Sequence, residues 1–293
     1  MVESVKNAYS AIYTARNGEG VDVIAEDWDN LVIIDACRYD DFERENTLGG
    51  ELEPKISRGR NSLTFIRENF VGRELQDTVY VTGNSFVKEL SGDEFHFVNV
   101  DPLKRNIESY DGYVSPEAVT QAALDTHERF PNKRLIVHYM QPHDPPIGEV
   151  GDRIEEEFGI TGWHPDDDMG QRLMPAVEQG DVPVEIAREG YRENLRIVLA
   201  EVERLLSEID GRSVITSDHG EMFGERPYFL LGRRYGHMDE PRNRFISQVP
   251  WFVVDDDSDR RKINSSPPTD TSPLSSEEVK SHLDEHLEML GYK

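Results

Sequence analysis

Two apolar runs that each stop at an aspartate constrain this chain more than any other feature. Val214-Ile215-Thr216-Ser217 leads into Asp218-His219-Gly220-Glu221, and Leu31-Val32-Ile33-Ile34 leads into Asp35. Strands of a parallel sheet are covered on both faces, so they read as unbroken apolar runs, and ligands collect beyond their carboxyl ends. A carboxylate and an imidazole side by side at such a strand tip can hold a divalent cation, and Gly220 lets the backbone turn sharply or approach a neighbour closely. Taken alone, the octapeptide also fits an ordinary polar surface turn. A second strand with the same ending is what gives the metal reading its weight.

The rest of the chain supplies the partners of an α/β unit. Residues 184 to 209 carry Ile186, Leu195, Val198, Val202, Leu205 and Leu206 on one helical face, and Asp210-Gly211 then turns into the strand ending at Asp218. Thr78 to Thr82 and Leu135 to Tyr139 read as further strands, Phe95 to Val100 as an edge strand, and Val249 to Val254 as the last. Helices are expected over 3 to 16, over 115 to 130 with Ser115 as cap and Pro116 in the first turn, and over 277 to 290. The polar loop Ile56-Ser57-Arg58-Gly59-Arg60-Asn61-Ser62-Leu63-Thr64 opens a helix running to about Phe70. Its hydroxyls and arginines stand at a helix start, where free N–H groups suit an anion, although Ser62 or Thr64 could equally be a plain N-cap. Met140 to Gly148 is a proline-bracketed loop that displays His143 and Asp144 with little freedom. Residues 149 to 183 are acidic and proline-rich, and read as an insertion near the site mouth, a lid or a substrate-binding loop. Within it His164 beside Asp166 to Asp168 is a weaker metal candidate than a solvated acidic loop.

Charge narrows the partners. With 58 acidic against 32 basic residues the formal net charge is −26, which argues against nucleic acid or an anionic membrane surface as a general partner. Only eight of the basic residues are lysines, and the acids are spread along the chain, a pattern resembling proteins of salt-accumulating halophiles. Cys37 is the single cysteine, so no intrachain disulfide can form. No leader-like start and no apolar run near the ~20 residues of a membrane span is visible, so a cytoplasmic protein without membrane insertion is expected.

In order along the chain, Leu-Val-Ile-Ile-Asp35, the Ser57-to-Phe65 loop, His138-Tyr-Met-Gln-Pro-His143-Asp-Pro, Tyr191-Arg-Glu-Asn194-Leu, Ser-Asp218-His219-Gly-Glu and Tyr-Gly-His237 resemble the alkaline phosphatase/sulfatase superfamily. The resemblance spans about residues 30 to 255 and implies an α/β fold: a mixed, mainly parallel central sheet flanked by helices in three α/β/α layers. It implies a catalytic domain over 1–255, with 256–293 as linker and C-terminal helix. It implies a divalent metal ion (Zn, Mn or Ca) on Asp35, Asp218, His219 and a nucleophilic hydroxyl, carried onto Ser62 with Thr64 second, and one firm metal with a weaker second. His143 and His237 would bind the transferred group or a second metal, and Arg60 would help hold the anion. The implied activity is hydrolysis of a small-molecule, glycan-linked or lipid-linked anionic ester through a serine-bound intermediate. Transfer of the phospho group to an acceptor and a catalytically inactive binding protein are the alternatives. Ser62-Leu63-Thr64-Phe65-Ile66 lacks the Pro and Arg of the motif from which sulfatases make formylglycine, and Ala36 stands where they commonly carry a second acid. Both departures favour phosphate esters or diesters over sulfate esters.

Overall fold

The computed structural model describes residues 2–104, 113–160, 172–230, 232–238, 240–254, 260–267, 274 and 277–289. His164 and Asp166 to Asp168 lie outside them. After an N-terminal helix α1 (Val2–Asn17), the buried strand β1 (Asn30–Asp35) is followed by α2 (Tyr39–Glu45), β2 (Glu51–Ile56), α3 (Ser62–Asn69), β3 (Leu75–Thr82), a 3-10 turn (Ser85–Glu89) and β4 (Phe95–Asn99). Then come α4 (Pro116–Arg129), β5 (Arg134–Pro142), α5 (Glu149–Phe158), α6 (Leu173–Gln179), α7 (Val184–Glu208) and β6 (Ser213–Thr216). A small ribbon of β7 (Phe223–Glu225) and β8 (Arg234–Tyr235), the short helix α8 (Arg244–Ser247), β9 (Gln248–Val254) and α9 (Glu277–Met289) complete the chain.

The main sheet has seven strands in the order β2-β9-β6-β1-β5-β3-β4. β6, β1, β5, β3 and β4 are mutually parallel, whereas β9 is antiparallel to both β6 and β2. This is the mixed, mainly parallel sheet expected, and β1 at its centre is buried along its whole length. Successive side chains of a strand face opposite ways. Tyr139 of β5 accordingly meets Thr120 of α4 at 2.8 Å, while its neighbour His138 packs its ring edge-to-face with Phe65 of α3. Helices therefore cover both faces, and the parallel strands send their carboxyl ends to one edge.

Two elements differ from the sequence expectation. β2 was not expected, because Glu-Leu-Glu-Pro-Lys-Ile is largely exposed. It is an edge strand, the place in a sheet that tolerates a proline such as Pro54. The 149–183 stretch holds α5 and α6, and their Val150, Ile154, Leu173, Ala176 and Val177 form a small second core with Ala187 at the start of α7. The helix α9 packs through Val279, Leu283 and Leu287, which are buried in the main core. Among the described residues no helix is long and apolar enough to cross a membrane.

Candidate active site

The carboxyl edge of the parallel strands gathers almost every side chain with chemistry. Asp35 ends β1, Asn84 follows β3, His143 follows β5, and Asp218 and His219 follow β6. Gly220 is forced by close approach: a Cβ there would lie 2.2 Å from the carbonyl oxygen of Phe245. Ala36, directly after Asp35, sits at φ 59°, a left-handed conformation that a non-glycine residue adopts only when its surroundings compel it. Its N–H donates to Asp218 Oδ1 at 3.0 Å and its carbonyl accepts from the Tyr191 hydroxyl at 2.8 Å, so the turn out of β1 is fixed from two sides.

Ser62 is the first residue of α3, buried at 3% exposure. Its Oγ donates to Asp35 Oδ2 at 2.9 Å and lies 3.5 Å from His219 Nε2. His219 Nε2 is also 3.4 Å from Asp35 Oδ1 and 3.4 Å from Asp218 Oδ2. Its Nδ1 donates to the Gly220 carbonyl at 3.0 Å, which leaves Nε2 as the nitrogen that faces the carboxylates, the orientation a metal-binding histidine requires. Asn84 Nδ2 donates to Asp35 Oδ2 at 2.8 Å.

Thr64, the second candidate hydroxyl, is engaged elsewhere. Its Oγ1 accepts from the N–H groups of Arg60 (2.8 Å) and Asn61 (3.2 Å), closing a capping box with the Asn61 side chain. Arg60 likewise lies away from the Asp35, Asp218 and His219 cluster, on a separate cavity with Thr64 and Arg242. Cys37 is fully buried, and burial pushes its thiol well up.

Two residues beyond the sequence reading join the cluster. His138, interior to β5, brings Nε2 to 3.8 Å from Asp218 Oδ2 and is held through Nδ1 by the Tyr80 hydroxyl at 2.8 Å. Glu221 Oε2 lies 2.9 Å from His237 Nδ1. The donors form two adjoining sets, Asp35 with His138 and Asp218, and His143 with Glu221 and His237, each with one ligand atom per residue within 4.8 Å of the others. The His219 and His237 rings link the sets at 4.3 Å.

Whether a cation fits can be judged from unsatisfied atoms. Asp35 Oδ1, Asp218 Oδ2, His138 Nε2 and His237 Nε2 are buried and have no hydrogen-bond partner. Buried polar atoms are almost always paired, and orphaned carboxylate oxygens facing imidazole nitrogens are the donor set of a divalent ion. The charges agree. Burial works against the ionised form of Asp35, yet hydrogen bonding and charge from His219 hold its carboxyl far below the ordinary range. Burial opposes charge on His219 too, but Asp218 and Asp35 raise it to about 10. Burial likewise disfavours charge on His143, and Asp35, Asp144 and Glu221 outweigh it and raise its pKa. For His237 burial prevails over Glu221 and lowers it. Asp144 is pushed up to about 6, mainly by burial.

The site opens into a cavity of about 250 Å³ between His143, Glu221 and His237 on one side and Leu173, Met174 and Met238 on the other. Thus α6, from the stretch expected to be an insertion, lines the mouth. Asn194 of α7 braces the opposite wall, donating to the Pro145 carbonyl and accepting from Ile147 N–H, both at 2.9 Å.

No family model matches the chain, and no curated protein does so either. Several solved structures resemble it. The integral membrane protein lipooligosaccharide phosphoethanolamine transferase A from Neisseria meningitidis aligns at 15% identity and TM-score 0.47, over 76% of this chain and 47% of that one, so the present chain spans about half its length. A 2-O GAG sulfatase aligns at 11% identity and TM-score 0.47, over 89% of this chain and 70% of its own. The C-terminal periplasmic domain of EcEptC from Escherichia coli, in complex with Zn, aligns at 12% identity and TM-score 0.42, over 89% and 81%. At these values the likenesses do not speak to activity, which rests on the side chains above. By their names these neighbours are phosphoethanolamine transferases and a sulfatase.

Proposed function

We propose that this protein is a metal-dependent enzyme that cleaves phosphate esters, monoesters or diesters, through a covalent ester on Ser62. The observation that carries this is a buried serine hydroxyl hydrogen-bonded to Asp35 at 2.9 Å, at the convergence of the orphaned Asp35 and Asp218 oxygens and His219. Asp35, Asp218, His219 and Ser62 Oγ would hold the cation. A divalent cation there supplies Lewis acidity, lowering the hydroxyl pKa and withdrawing charge from the transferred group.

Asp35 Oδ2 accepts the hydroxyl proton as Ser62 Oγ attacks phosphorus, and the bond to the ester oxygen breaks. His143, whose pKa its carboxylate neighbours raise, donates the proton that the departing oxygen needs. In the second half-reaction the now neutral His143 takes a proton from the attacking water, and Asp35 returns its proton to Ser62 Oγ as the serine–phosphorus bond breaks, so that phosphate leaves and both groups regain their starting states. An alcohol or other acceptor seated in the same cavity would take the phosphoryl group instead, giving the transferase outcome from the same intermediate. The apolar wall of Leu173, Met174 and Met238 suits an organic leaving group or acceptor. The protein would work in a reducing compartment such as the cytoplasm, where the lone buried Cys37 stays a thiol.

The test is turnover of aryl phosphate, bis-aryl phosphate and aryl sulfate with Mn²⁺ or Zn²⁺, with and without a glycerol or ethanolamine acceptor. Phosphate turnover abolished in Ser62→Ala and Asp218→Ala is expected. Activity that survives both substitutions overturns the mechanism, and faster sulfate than phosphate cleavage overturns the substrate class.

A further inference from the structure

A second cavity, of about 570 Å³, opens among α1, the loop before α3 and the segment before α8, and its lining includes none of the metal-centre residues. Arg58, Arg60 and Arg242 converge on it, beside Thr64. In a chain of net charge −26, three guanidinium groups around one hollow run against the general field.

Arg242 is the informative member. It is only 7% exposed, and a buried cation normally has a carboxylate beside it. Its guanidinium instead donates to neutral oxygens: the Ser57 carbonyl, the Glu19 carbonyl at 2.9 Å and the Thr14 hydroxyl at 3.5 Å. Its Nε has no hydrogen-bond partner among the described residues. The nearest carboxylate, Glu19, reaches 3.9 Å from a side chain that is 84% exposed, a contact worth little in water. Arg60 makes no hydrogen bond or ion pair through its guanidinium with any described residue. Arg58 has a partner in Asp22 at 3.3 Å, which Asp22 shares with Arg73 at 2.7 Å. Glu68 on the rim is the only other acid lining the cavity. Positive charge therefore exceeds its compensation here, in a hollow large enough for a small organic anion.

We propose that this cavity is a second anion site, which takes a tetrahedral oxyanion, free or as the phosphoryl group of a small molecule, between Arg60, Arg58 and the field of Arg242. Planar guanidinium forks match such oxygens two at a time. The site backs directly onto the nucleophile loop. Ser57, whose carbonyl holds Arg242, donates its own Oγ to the Asp218 carbonyl and accepts from Gly59 N–H at 3.0 Å. Thr64, on the cavity wall, fixes the backbone N–H groups of Arg60 and Asn61, immediately before Ser62. An anion seated here would brace from outside the segment that presents Ser62 inside.

Calorimetric titration with inorganic phosphate and with glycerol phosphate, in EDTA to silence the metal centre, tests this. Saturable binding is expected. Arg60→Ala should weaken it at least tenfold and Arg60→Lys less, with unchanged melting temperatures because Arg60 has no folded-state partner to lose. Asp218→Asn should bind like the wild type. Tighter glycerol phosphate identifies an esterified ligand, and equal or tighter inorganic phosphate identifies the free ion. Binding unaffected by Arg60→Ala, or absent from the wild type, overturns the site. Binding that Asp218→Asn strengthens and Arg60→Ala leaves unchanged moves the anion to the Asp35–Asp218 cluster, which overturns this site and leaves the proposed function standing.

Discussion

Asp218→Asn should cost the protein stability chiefly when metal is present. Asp218 is fully buried, and its Oδ1 accepts from the N–H groups of Ala36 (3.0 Å) and His219 (2.9 Å). An asparagine oxygen preserves both bonds. The other oxygen, Oδ2, has no hydrogen-bond partner and faces His219 Nε2 at 3.4 Å and His138 Nε2 at 3.8 Å. An amide NH₂ in its place can donate to an imidazole and removes one of two buried negative charges, while Asp35 remains to balance protonated His219. Satisfying a buried polar group contributes about 1 kcal/mol, but Asp218 is also the chief charge that raises His219, so in EDTA gain and loss offset and the variant should melt close to the wild type. With metal at 100 times its dissociation constant, the wild type gains about 2.7 kcal/mol, roughly 5–10 °C for a domain of this size. If the lost carboxylate weakens binding 100-fold, the variant at the same metal concentration gains only about 0.4 kcal/mol. Scanning calorimetry of both proteins, in EDTA and with Mn²⁺ or Zn²⁺, reads this directly. A wild type that no divalent ion stabilises, or a variant stabilised as much as the wild type, refutes the assignment of this cluster as a cation site.

Further outcomes follow from the same geometry. Ser62→Ala should lose turnover by at least about a thousandfold while keeping the metal-induced rise in melting temperature, whereas Thr64→Ala should lose about 1 kcal/mol of stability with its capping box and retain turnover; the reverse pattern would make Thr64 the nucleophile. Metal binding should release close to one proton near neutral pH, because His219 stays protonated to about 10 without metal and a ligand must be deprotonated. Apparent affinity should therefore climb about tenfold per pH unit and level off near 10, checked by titration in buffers of different ionisation enthalpy. The sign for the metal-free fold is opposite: the His219 contribution is complete below about 6.5 and is lost as pH rises through about 10. Stability should also rise with KCl from about 0.01 to 1 M, since the Debye length shrinks from ~30 to ~3 Å around a net charge of −26; a flat melting curve across that range would count against halophilic adaptation.

What the sequence disclosed depended on how local the signal was. Asp35, Asp218 and His219 were legible because an apolar strand that stops at a polar residue marks its own carboxyl end, and the sheet brings those ends together. His138 was not, because a histidine inside Leu-Ile-Val-His-Tyr reads as a buried strand position until Asp218 is known to lie beside it. Glu221 stood in the opening motif without a role, since its partner His237 is 16 residues away across the β7–β8 ribbon. Arg60 was assigned to the anion from its place in the nucleophile loop, but side chains around a helix start point in different directions. Ser62 faces inward and Arg60 outward. The 149–183 stretch looked irregular because acids dominate it, although Val150, Ile154 and Phe158 already recur every fourth residue.

The position of β1 also bears on how the chain is made. Its fully buried strand lies between β5 and β6, and Asn30 meets Ser213 across a sequence separation of 183 residues. At a synthesis rate of about 5–20 residues per second, one edge of β1 waits roughly 10–40 s for its partner. An apolar strand with an unpaired edge is a template for association with other chains. The nascent protein is thus most exposed to aggregation just before residues 213–216 emerge, and the same closing step that covers β1 delivers Asp218 and His219 to Asp35. The proposed cation set is therefore incomplete until β6 has docked, and a chain interrupted before β6 would be both sticky and without Asp218 and His219.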